Sequence, residues 1–330
     1  MKTAKSINGC PTLSRRPQSV ITDIASLRVN EFDMIAGLGD SLMTGFASEN
    51  VNALERWTMA IMQEHRGQSP IMGGDDNANT LANFLKHYNS GIVGASVGSH
   101  LASFCINGVC PILSNFWVPF KDNLNAAQTG AIAKNLDYEL DYLIPRMKTM
   151  MKNNFEKSWK LVNIQIGSND QCSSCTEGLK NVVSPEAYSG YVIKAIERIR
   201  NEVPRVLINL IGTFEVSRIM DIRAQQTDYC KPNLFTTIAV ECSCLEQAEE
   251  GLKKMDEHCK GYNEQLKRIA EMYVPLRNKT FALTFNPAAI NISSLPVDAI
   301  SNIDCFHPNV KAGSWASKVF CPSENEHFFL

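Results

Sequence analysis

The stretch Phe32-Asp33-Met34-Ile35-Ala36-Gly37-Leu38-Gly39-Asp40-Ser41-Leu42 decides the predicted fold. Its first half is a short apolar run with the length of a buried strand, and it ends in a small-residue turn that carries one hydroxyl. Open α/β sheets bind ligands at their carboxyl edge, which is where this turn would present the hydroxyl. Ser41 is therefore our candidate nucleophile, although Asp40 and Ser41 taken alone are more typical of a helix cap.

Strand-like and helix-like segments alternate after this turn. The predicted strands are 91–97, 161–166, 205–211 and 280–285, and the predicted helices are 51–65, 80–88, 131–151, 185–202 and 246–274. Pro145 is expected to kink or divide the helix at 131–151. The alternation predicts a three-layer α/β/α sandwich, with a mainly parallel sheet of about five strands covered on both faces.

The length of 330 residues, with 44% hydrophobic and 20% charged residues, indicates an ordinary globular protein. We expect an irregular N-terminal segment at 1–30 and a single domain at 31–330, with a Cys-rich insertion around 228–259.

The net charge of -2 provides no basic field, so a nucleic-acid partner is not expected. The longest stretch without a charged side chain, 89–120, is interrupted by Gly, Ser, Asn and Pro, so no transmembrane segment is predicted either. The sequence does not indicate an oligomeric state.

The eleven cysteines indicate disulfide bonds and hence an oxidising compartment, although an odd number leaves at least one thiol unpaired within the chain. Cys172 and Cys175 are predicted to form a local bridge. Two N-glycosylation sequons begin at Asn278 and Asn291. No apolar core follows the basic residues near the N-terminus, so a signal peptide is not visible. We nevertheless expect a secreted or lumenal protein whose leader has been removed.

Asp304-Cys305-Phe306-His307-Pro308 supplies partners for a serine nucleophile. A serine hydroxyl reacts poorly until a base takes its proton, and the base works best when a carboxylate fixes its tautomer. Asp and His three residues apart can lie on one side of a tight turn, so a single loop can supply both. Asp304 and His307 are therefore the candidate orienting acid and base.

Acyl transfer also requires hydrogen-bond donors for the oxyanion. Gly130 has no side chain and can bring its backbone N–H close, while Asn169, in the segment 167–170 at a strand end, can offer its side-chain amide.

Four such blocks in this order resemble those of the GDSL, or SGNH, hydrolases. The blocks are Gly39-Asp40-Ser41-Leu42, Gly130 after Leu124-Asn125, Gly167-Ser168-Asn169-Asp170, and Asp304 to His307. The segments 80–85, 94–98, 166–172 and 304–308 look like the phospholipase B branch of that superfamily, and the resemblance covers roughly 33–320.

This resemblance implies a flavodoxin-like SGNH fold with the strand order 2-1-3-4-5. It also implies that Ser41 is the nucleophile, His307 the base and Asp304 its partner, with an oxyanion hole formed by Ser41 N–H, Gly130 N–H and Asn169. Ser168 stands where the family usually has a second glycine, and Met43-Thr44 stands where Thr-Ala is commoner. These departures affect no catalytic group.

The resemblance further implies release of fatty acids from phospholipids or lysophospholipids at a membrane or micelle interface, without cofactor or metal. The apolar loop 112–120, which contains Phe116 and Trp117, can provide a lipid-facing surface or can pack in the core. The alternatives are a general carboxylesterase and a catalytically inactive lipid-binding protein.

A second candidate nucleophile is Ser96, because Gly94-Ala95-Ser96-Val97-Gly98 fits the Gly-x-Ser-x-Gly elbow of α/β-hydrolases. That elbow should open directly into a helix, whereas Gly108 and Pro111 follow closely. The other histidines, including His65 and His100, show no ligand spacing and are interpreted as surface or packing residues.

Overall fold

The predicted parallel sheet is present in the computed structural model, which describes residues 13–14, 16–111, 117–224, 229, 242–288 and 290–317. The strands in these residues are β1 Met34–Gly39, β2 Gln63–Glu64, β3 His100–Leu101, β4 Lys160–Gln165, β5 Val206–Ile211 and β6 Phe281–Asn286. Four of them form the central sheet in the order β1-β4-β5-β6, and the short β2 and β3 form a separate antiparallel pair.

The α-helices of the described residues lie between and after these strands. They are α1 Ser41–Thr44, α2 Leu81–Tyr88, α3 Pro119–Asp122, α4 Leu136–Met151, α5 Ser168–Ser173, α6 Pro185–Glu202, α7 Ile219–Arg223, α8 Ala248–Tyr273 and α9 Val310–Ser317. The central strands pair in parallel and in register, for example Met34 with Lys160 and Val206 with Phe281. The carboxyl ends of all four strands therefore meet at one edge.

The two faces of the sheet bury alternate residues of each strand, as strand geometry requires. Met34, Ala36 and Leu38 pack in a core that also contains the apolar sides of α4, α6 and α8. Ile35 points to the opposite core, which contains Leu81 and other residues of α2 and of the N-terminal segment. Two cores on either side of one sheet confirm the predicted three-layer α/β/α sandwich.

The strand predicted at 91–97 is reduced to isolated parallel bridges, of Val93 with Met34 and of Ser96 with Gly73. At Gly94 the backbone φ is +117°, and a side chain there would collide with the Ile35 carbonyl oxygen, so the chain turns away from the edge. The segment at Leu124 then pairs with the outer edge of β1, since the Leu124 carbonyl accepts from Gly37 N at 3.0 Å. The outer edge of β1 is thus covered by two segments, and their position agrees with the expected strand order.

The helix predicted at 51–65 is wrong. This segment forms two 3₁₀ turns, Glu55–Trp57 and Met59–Met62, followed by β2. The Asn52 side chain accepts from the backbone N–H groups of residues 54 and 55, and Thr58 is extended and caps the second turn. Such side-chain bonds to the backbone compete with a continuous helix.

Pro145 does not divide α4, which runs through it as one helix of 16 residues. A proline removes the bond to the carbonyl four residues earlier, here Asp141. Both residues lie on the exposed side of α4, where water can solvate that carbonyl. The other predicted elements agree with the structure, and the predicted and observed bounds of α6 are identical.

The predicted domain divisions coincide only partly with described residues. The segment 18–31 forms short 3₁₀ turns; Ile21 and Ile24 are buried, whereas Val20 is exposed. Of the predicted insertion at 228–259, residues 228 and 230–241 lie outside the described residues. Cys259, at the C-terminal end of this insertion, lies within α8, which agrees with the helix predicted at 246–274.

Candidate active site

The turn after β1 presents Ser41 at the carboxyl edge of the sheet. Asp40 caps α1, since its Oδ1 accepts from Leu42 N at 3.1 Å, and α1 ends at Gly45 in a left-handed conformation with φ 69°. Gly39 is required because a side chain there would collide with the Gln165 carbonyl of the neighbouring strand. The sequence therefore produces a sharp strand-to-helix turn with the hydroxyl of Ser41 at its apex.

The Asp40 carboxyl is fully buried behind Ser41. Its Oδ2 accepts from Ser168 N at 3.3 Å, so this side chain joins the turn after β1 to the turn after β4. Burial raises the pKa of Asp40 to about 6, although the backbone N–H of Leu42 and the charge of His307 oppose this shift.

The loop at 304–307 holds an aspartate and a histidine in fixed relative positions. His307 Nδ1 lies 2.7 Å from Asp304 Oδ2, while Asp304 Oδ1 accepts from the backbone N–H groups of Phe306 at 2.9 Å and His307 at 3.1 Å. Cys305 takes a left-handed conformation, φ 57°, which tightens the turn. A proton on Nδ1, shared with the carboxylate, leaves Nε2 as a hydrogen-bond acceptor.

His307 Nε2 lies 2.7 Å from Ser41 Oγ, although the two residues are 266 positions apart. Both side chains are about 95% buried, and the Phe46 ring packs edge-on against the imidazole at 5.2 Å. The three residues predicted for catalysis are thus joined in one chain of hydrogen bonds, in which Ser41 donates to a neutral histidine held by a carboxylate.

The two predicted oxyanion donors lie beside each other. Asn169 Nδ2 donates to the Ala131 carbonyl at 3.0 Å, which leaves its second amide hydrogen for a ligand. Gly130 has φ 80°, and a side chain there would collide with the Cys105 carbonyl, so only glycine fits. The structure therefore brings the second and third sequence blocks together at the carboxyl edge.

Sequence reasoning gave no role to Asp170, although it belongs to the third block. Both of its carboxylate oxygens accept from Ala133 N at 3.1 Å, so it anchors the start of the segment before α4. Burial raises the pKa of Asp170 to about 7, and the nearby Asp40 raises it further against the opposing hydrogen bond from Ala133.

The Ser41 hydroxyl opens into a small depression in the surface. The residues that line it are Ser41, Leu42, Gly45, Phe46, Ser48, Gln68, Pro70, His307, Pro308 and Asn309. In the described part of the chain, no three His, Cys, Asp or Glu side chains come together as they would around a metal ion.

Ser96, the second candidate nucleophile, lies in a different environment. It is fully buried, and its hydroxyl donates to the Arg66 carbonyl at 2.8 Å while also accepting from Asn125 Nδ2 at 3.2 Å. Its hydroxyl thus serves the packing of loops, and the geometry favours Ser41.

The disulfide predicted between Cys172 and Cys175 is wrong. Cys172 pairs with Cys242 and Cys175 with Cys244, so two bridges join the end of α5 to the segment before α8. Cys172 and Cys175 point in the same direction, towards the segment before α8. Their Cα atoms lie 4.6 and 5.2 Å from those of their respective partners, within the range of disulfide bonds.

A third bridge joins Cys105 to Cys110, next to the Gly130 turn. Cys259 and Cys305 are buried and take no part in these three bridges. The remaining three cysteines, Cys10, Cys230 and Cys321, lie outside the described residues.

A Ser–His–Asp chain at the carboxyl edge of a parallel sheet is the geometry typical of serine hydrolases. Residues 35–320 match the family model described as GDSL-like Lipase/Acylhydrolase. The chain belongs to this family.

The chain is similar to membrane-associated phospholipase B1 of three mammals. It is 27% identical to the Mus musculus protein over 303 residues, 28% to the Rattus norvegicus protein over 316 residues and 26% to the Homo sapiens protein over 313 residues. These matches cover 88%, 90% and 91% of this chain but only 19%, 20% and 20% of the relatives. The chain thus spans about one fifth of the length of these relatives.

Among solved structures, the chain is similar to an acetyl-xylooligosaccharide esterase from Geobacillus, with 13% identity, a TM-score of 0.43, and coverage of 87% of this chain and 91% of that one. It is also similar to an extracellular lipase from Streptomyces rimosus, with 12% identity, a TM-score of 0.39, and coverage of 87% and 97%. Among the residues that the structure describes, no helix combines the length and the apolar character that crossing a bilayer requires.

Proposed function

We propose that this protein is a serine ester hydrolase that works through an acyl-enzyme on Ser41. The observation that carries the proposal is the hydrogen-bond chain from Ser41 Oγ through His307 to Asp304, with 2.7 Å at each contact to the imidazole. Membership of the GDSL-like family and the similarity to phospholipase B1 support carboxylic ester hydrolysis.

In this mechanism the Ser41 oxygen attacks the ester carbonyl carbon while its proton passes to His307 Nε2. Asp304 stabilises the resulting imidazolium. The negative charge on the carbonyl oxygen is bound by the backbone N–H groups of Ser41 and Gly130 and by the amide of Asn169. His307 then protonates the leaving alcohol, and a water molecule, activated by the same histidine, releases the acid. The reaction needs no cofactor.

The proposed substrates are phospholipids or lysophospholipids, from which the enzyme releases fatty acids. This choice is supported by the phospholipase B1 relatives, whose name also describes them as membrane-associated. A general carboxylesterase is the second candidate, because the catalytic residues would act on any ester that fits. A lipid-binding protein without turnover is less well supported, since the intact hydrogen-bond chain would then have no use.

The lipid-facing surface expected at 112–120 is not supported by its described residues. Phe116 lies outside the described residues, and Trp117 is buried, stacks on Tyr142 at 4.6 Å and donates to the Ala126 carbonyl. Trp117 is therefore a packing residue. Phe120 of the same loop is 86% exposed.

A different apolar surface lies next to the catalytic loop, and we call it the apolar rim. It consists of Leu54, Trp57 and Met59, which are 82%, 86% and 60% exposed. The segment is tied to the catalytic loop because Val51 and Asn302 exchange two hydrogen bonds of 2.9 Å, two residues before Asp304. Contiguous apolar surface exposed on a protein often marks an interaction site, and we propose that the rim enters a lipid surface.

The proposed location is extracellular or lumenal. Three disulfides are typical of an oxidising compartment, and the sequon residues Asn278 and Asn291 are exposed and accessible to glycosylation.

The test of the proposed function combines labelling with product analysis. A fluorophosphonate probe should label the wild type and the Ser96→Ala control but not Ser41→Ala, because only Ser41 has a base beside it. Mass spectrometry on phospholipids, lysophospholipids and short-chain esters should then find free fatty acid. Label lost in Ser96→Ala and kept in Ser41→Ala would overturn the assignment, and release from short-chain esters alone would favour the general carboxylesterase.

A further inference from the structure

A buried cluster of charged and hydroxyl groups lies behind the active site, and no sequence motif connects its members. We call it the Glu64 network. It consists of Thr44, Glu64, Arg66, His100, Asp122 and Thr129, and all but His100 are at least 97% buried. Charged groups are rarely buried to this extent unless they are paired and hydrogen-bonded.

Arg66 holds the acidic part of the network together. Its guanidinium donates to Glu64 Oε2 at 2.8 Å and to the carbonyls of Asn125 and Ala127 at 3.1 and 3.0 Å, and it lies 3.4 Å from Asp122. The two carbonyls belong to the segment that leads to Thr129 and Gly130. The arginine therefore fixes the backbone of that segment relative to β2.

His100 is the second basic residue of the network. Its Nε2 lies 2.7 Å from Asp122 Oδ1 and its Nδ1 lies 2.9 Å from the Leu101 carbonyl. Burial alone would lower the pKa of His100, but the hydrogen bond to Asp122 and the charges of Asp122 and Glu64 outweigh it and the pKa is raised. The carboxyl groups of Glu64 and Asp122 thus lie against two basic side chains, Arg66 and His100.

The network reaches the nucleophile through two hydroxyls. Glu64 Oε1 accepts from Thr129 Oγ1 at 2.5 Å, and Thr44 Oγ1 lies 3.0 Å from both Thr129 Oγ1 and the Ser41 carbonyl oxygen. A carboxylate only accepts, so the hydroxyl proton of Thr129 is directed to Glu64, and Thr44 is the donor towards Thr129 or Ser41. The helix of the nucleophile and the turn of Gly130 are thereby joined side by side.

We propose that Thr44, Thr129 and Glu64 are positioning residues that hold the backbone N–H of Ser41 and that of Gly130 at one fixed separation. This inference rests on the proposed function, in which these two groups bind the oxyanion. Oxyanion donors act through preorganised geometry, so a small displacement of either donor lowers the rate of the chemical step and not the binding of the ground state. None of the three contacts the substrate in this scheme.

The test removes one hydroxyl and keeps the shape of its side chain. Thr129→Val should lower kcat about tenfold or more, with KM changed by less than about twofold, because the Gly130 turn loses its link to α1. Thr129→Ser, which restores the hydroxyl, should recover most of kcat. Thr80→Val is the matched control, since Thr80 is equally buried and donates to the Gly73 carbonyl at 2.5 Å, and it should keep kcat.

If Thr129→Val does not fold, Thr44→Val provides an independent test of the same link. A double variant should lose little more kcat than either single variant, because the two hydroxyls act as a unit. Unchanged kcat in Thr129→Val, or equal losses in the Val and Ser variants, would overturn the positioning role. A wild type that hydrolyses no ester and takes no fluorophosphonate label would instead overturn the proposed function, and this inference with it.

Discussion

Asp170 is the residue whose ionisation should be visible in the stability of the protein. Its pKa of about 7 in the folded state lies above the ordinary aspartate value of about 3.9. The folded state therefore binds the proton more tightly than the unfolded state. The resulting stabilisation is fully present below about pH 4 and is lost as the pH rises through about 7.

We expect the free energy of unfolding to fall between about pH 4 and pH 7 by an amount on the order of a few kcal/mol. In the Asp170→Asn variant this decrease should be smaller, because position 170 no longer ionises. Urea denaturation at pH 5 and pH 8 measures this difference. The amide of the variant can still accept from Ala133 N, so folding should survive. The buried Asp40, with its pKa of about 6, contributes the same sign, so some slope should remain. An identical slope in wild type and variant would contradict the assignment to Asp170.

The roles proposed for single residues differed in how far the sequence could reveal them. Asp304 and His307 were predictable because one short loop supplies both and because a serine needs such partners. The hydrogen bond between Glu64 and Thr129 could not be predicted from the sequence, because the two residues are 65 positions apart and belong to no motif. Only the folded chain shows that they meet.

At the scale of elements, the two bridges at the end of α5 enclose nearly the same loop, with sequence separations of 70 and 69 residues. Once one bridge is formed, the other closes only a small additional ring. Loop entropy then predicts that losing either bridge costs about 2 kcal/mol, whereas losing both costs about 6 kcal/mol, more than the sum.

Replacing the cysteines of each bridge by serine, singly and together, and measuring the free energy of unfolding by urea would reveal this coupling. The Cys105–Cys110 bridge, which encloses a separate loop, is the matched control and its loss should add independently to that of either long bridge. Strictly additive losses for the two long bridges would contradict the shared-loop argument.

The predictability of elements followed the strength of their local signals. The helix α6 was predicted with its observed bounds because Ser184 caps it and Pro185 begins it. The helix at 51–65 was mispredicted because the side chains of Asn52 and Thr58 bond to the backbone in a way that apolar spacing does not reveal. The partners of Cys172 and Cys175 depended on a distant segment, so no local pattern could identify them.

At the scale of the whole molecule, the apolar rim and the nucleophile lie towards the same edge of the sheet. If the rim enters lipid, replacing Leu54 and Trp57 by Ala should reduce hydrolysis of phospholipid vesicles about tenfold or more, because each large apolar side chain contributes about 1.5–3 kcal/mol when buried. Hydrolysis of a soluble short-chain ester should stay unchanged. Rates on both substrates, measured side by side, give the comparison.

Val274→Ala is the control for this experiment. Val274 is 68% exposed but lies ahead of β6, at the opposite edge of the sheet, so its loss should leave both rates unchanged. Equal losses on vesicles and on the soluble ester in the rim variant would mean that Leu54 and Trp57 only support the fold.

The general architecture of the molecule was more predictable than its surface. Alternating apolar segments indicated the three layers, because burying both faces of a parallel sheet leaves few arrangements. The sequence did not indicate which apolar side chains are exposed. Trp117 and Trp57 both lie in apolar segments, yet Trp117 is buried and Trp57 is 86% exposed.

The paired bridges between 172–175 and 242–244 also bear on proteolysis. A protease that cuts once anywhere between these segments leaves Ser41 on one fragment and His307 on the other, yet two covalent links still join the fragments. Such a nicked protein would run as one band on a non-reducing gel and as two after reduction. The nucleophile and its base can therefore belong to separate polypeptides of a single covalent molecule, so a protein isolated as two chains would still be held together around its active site.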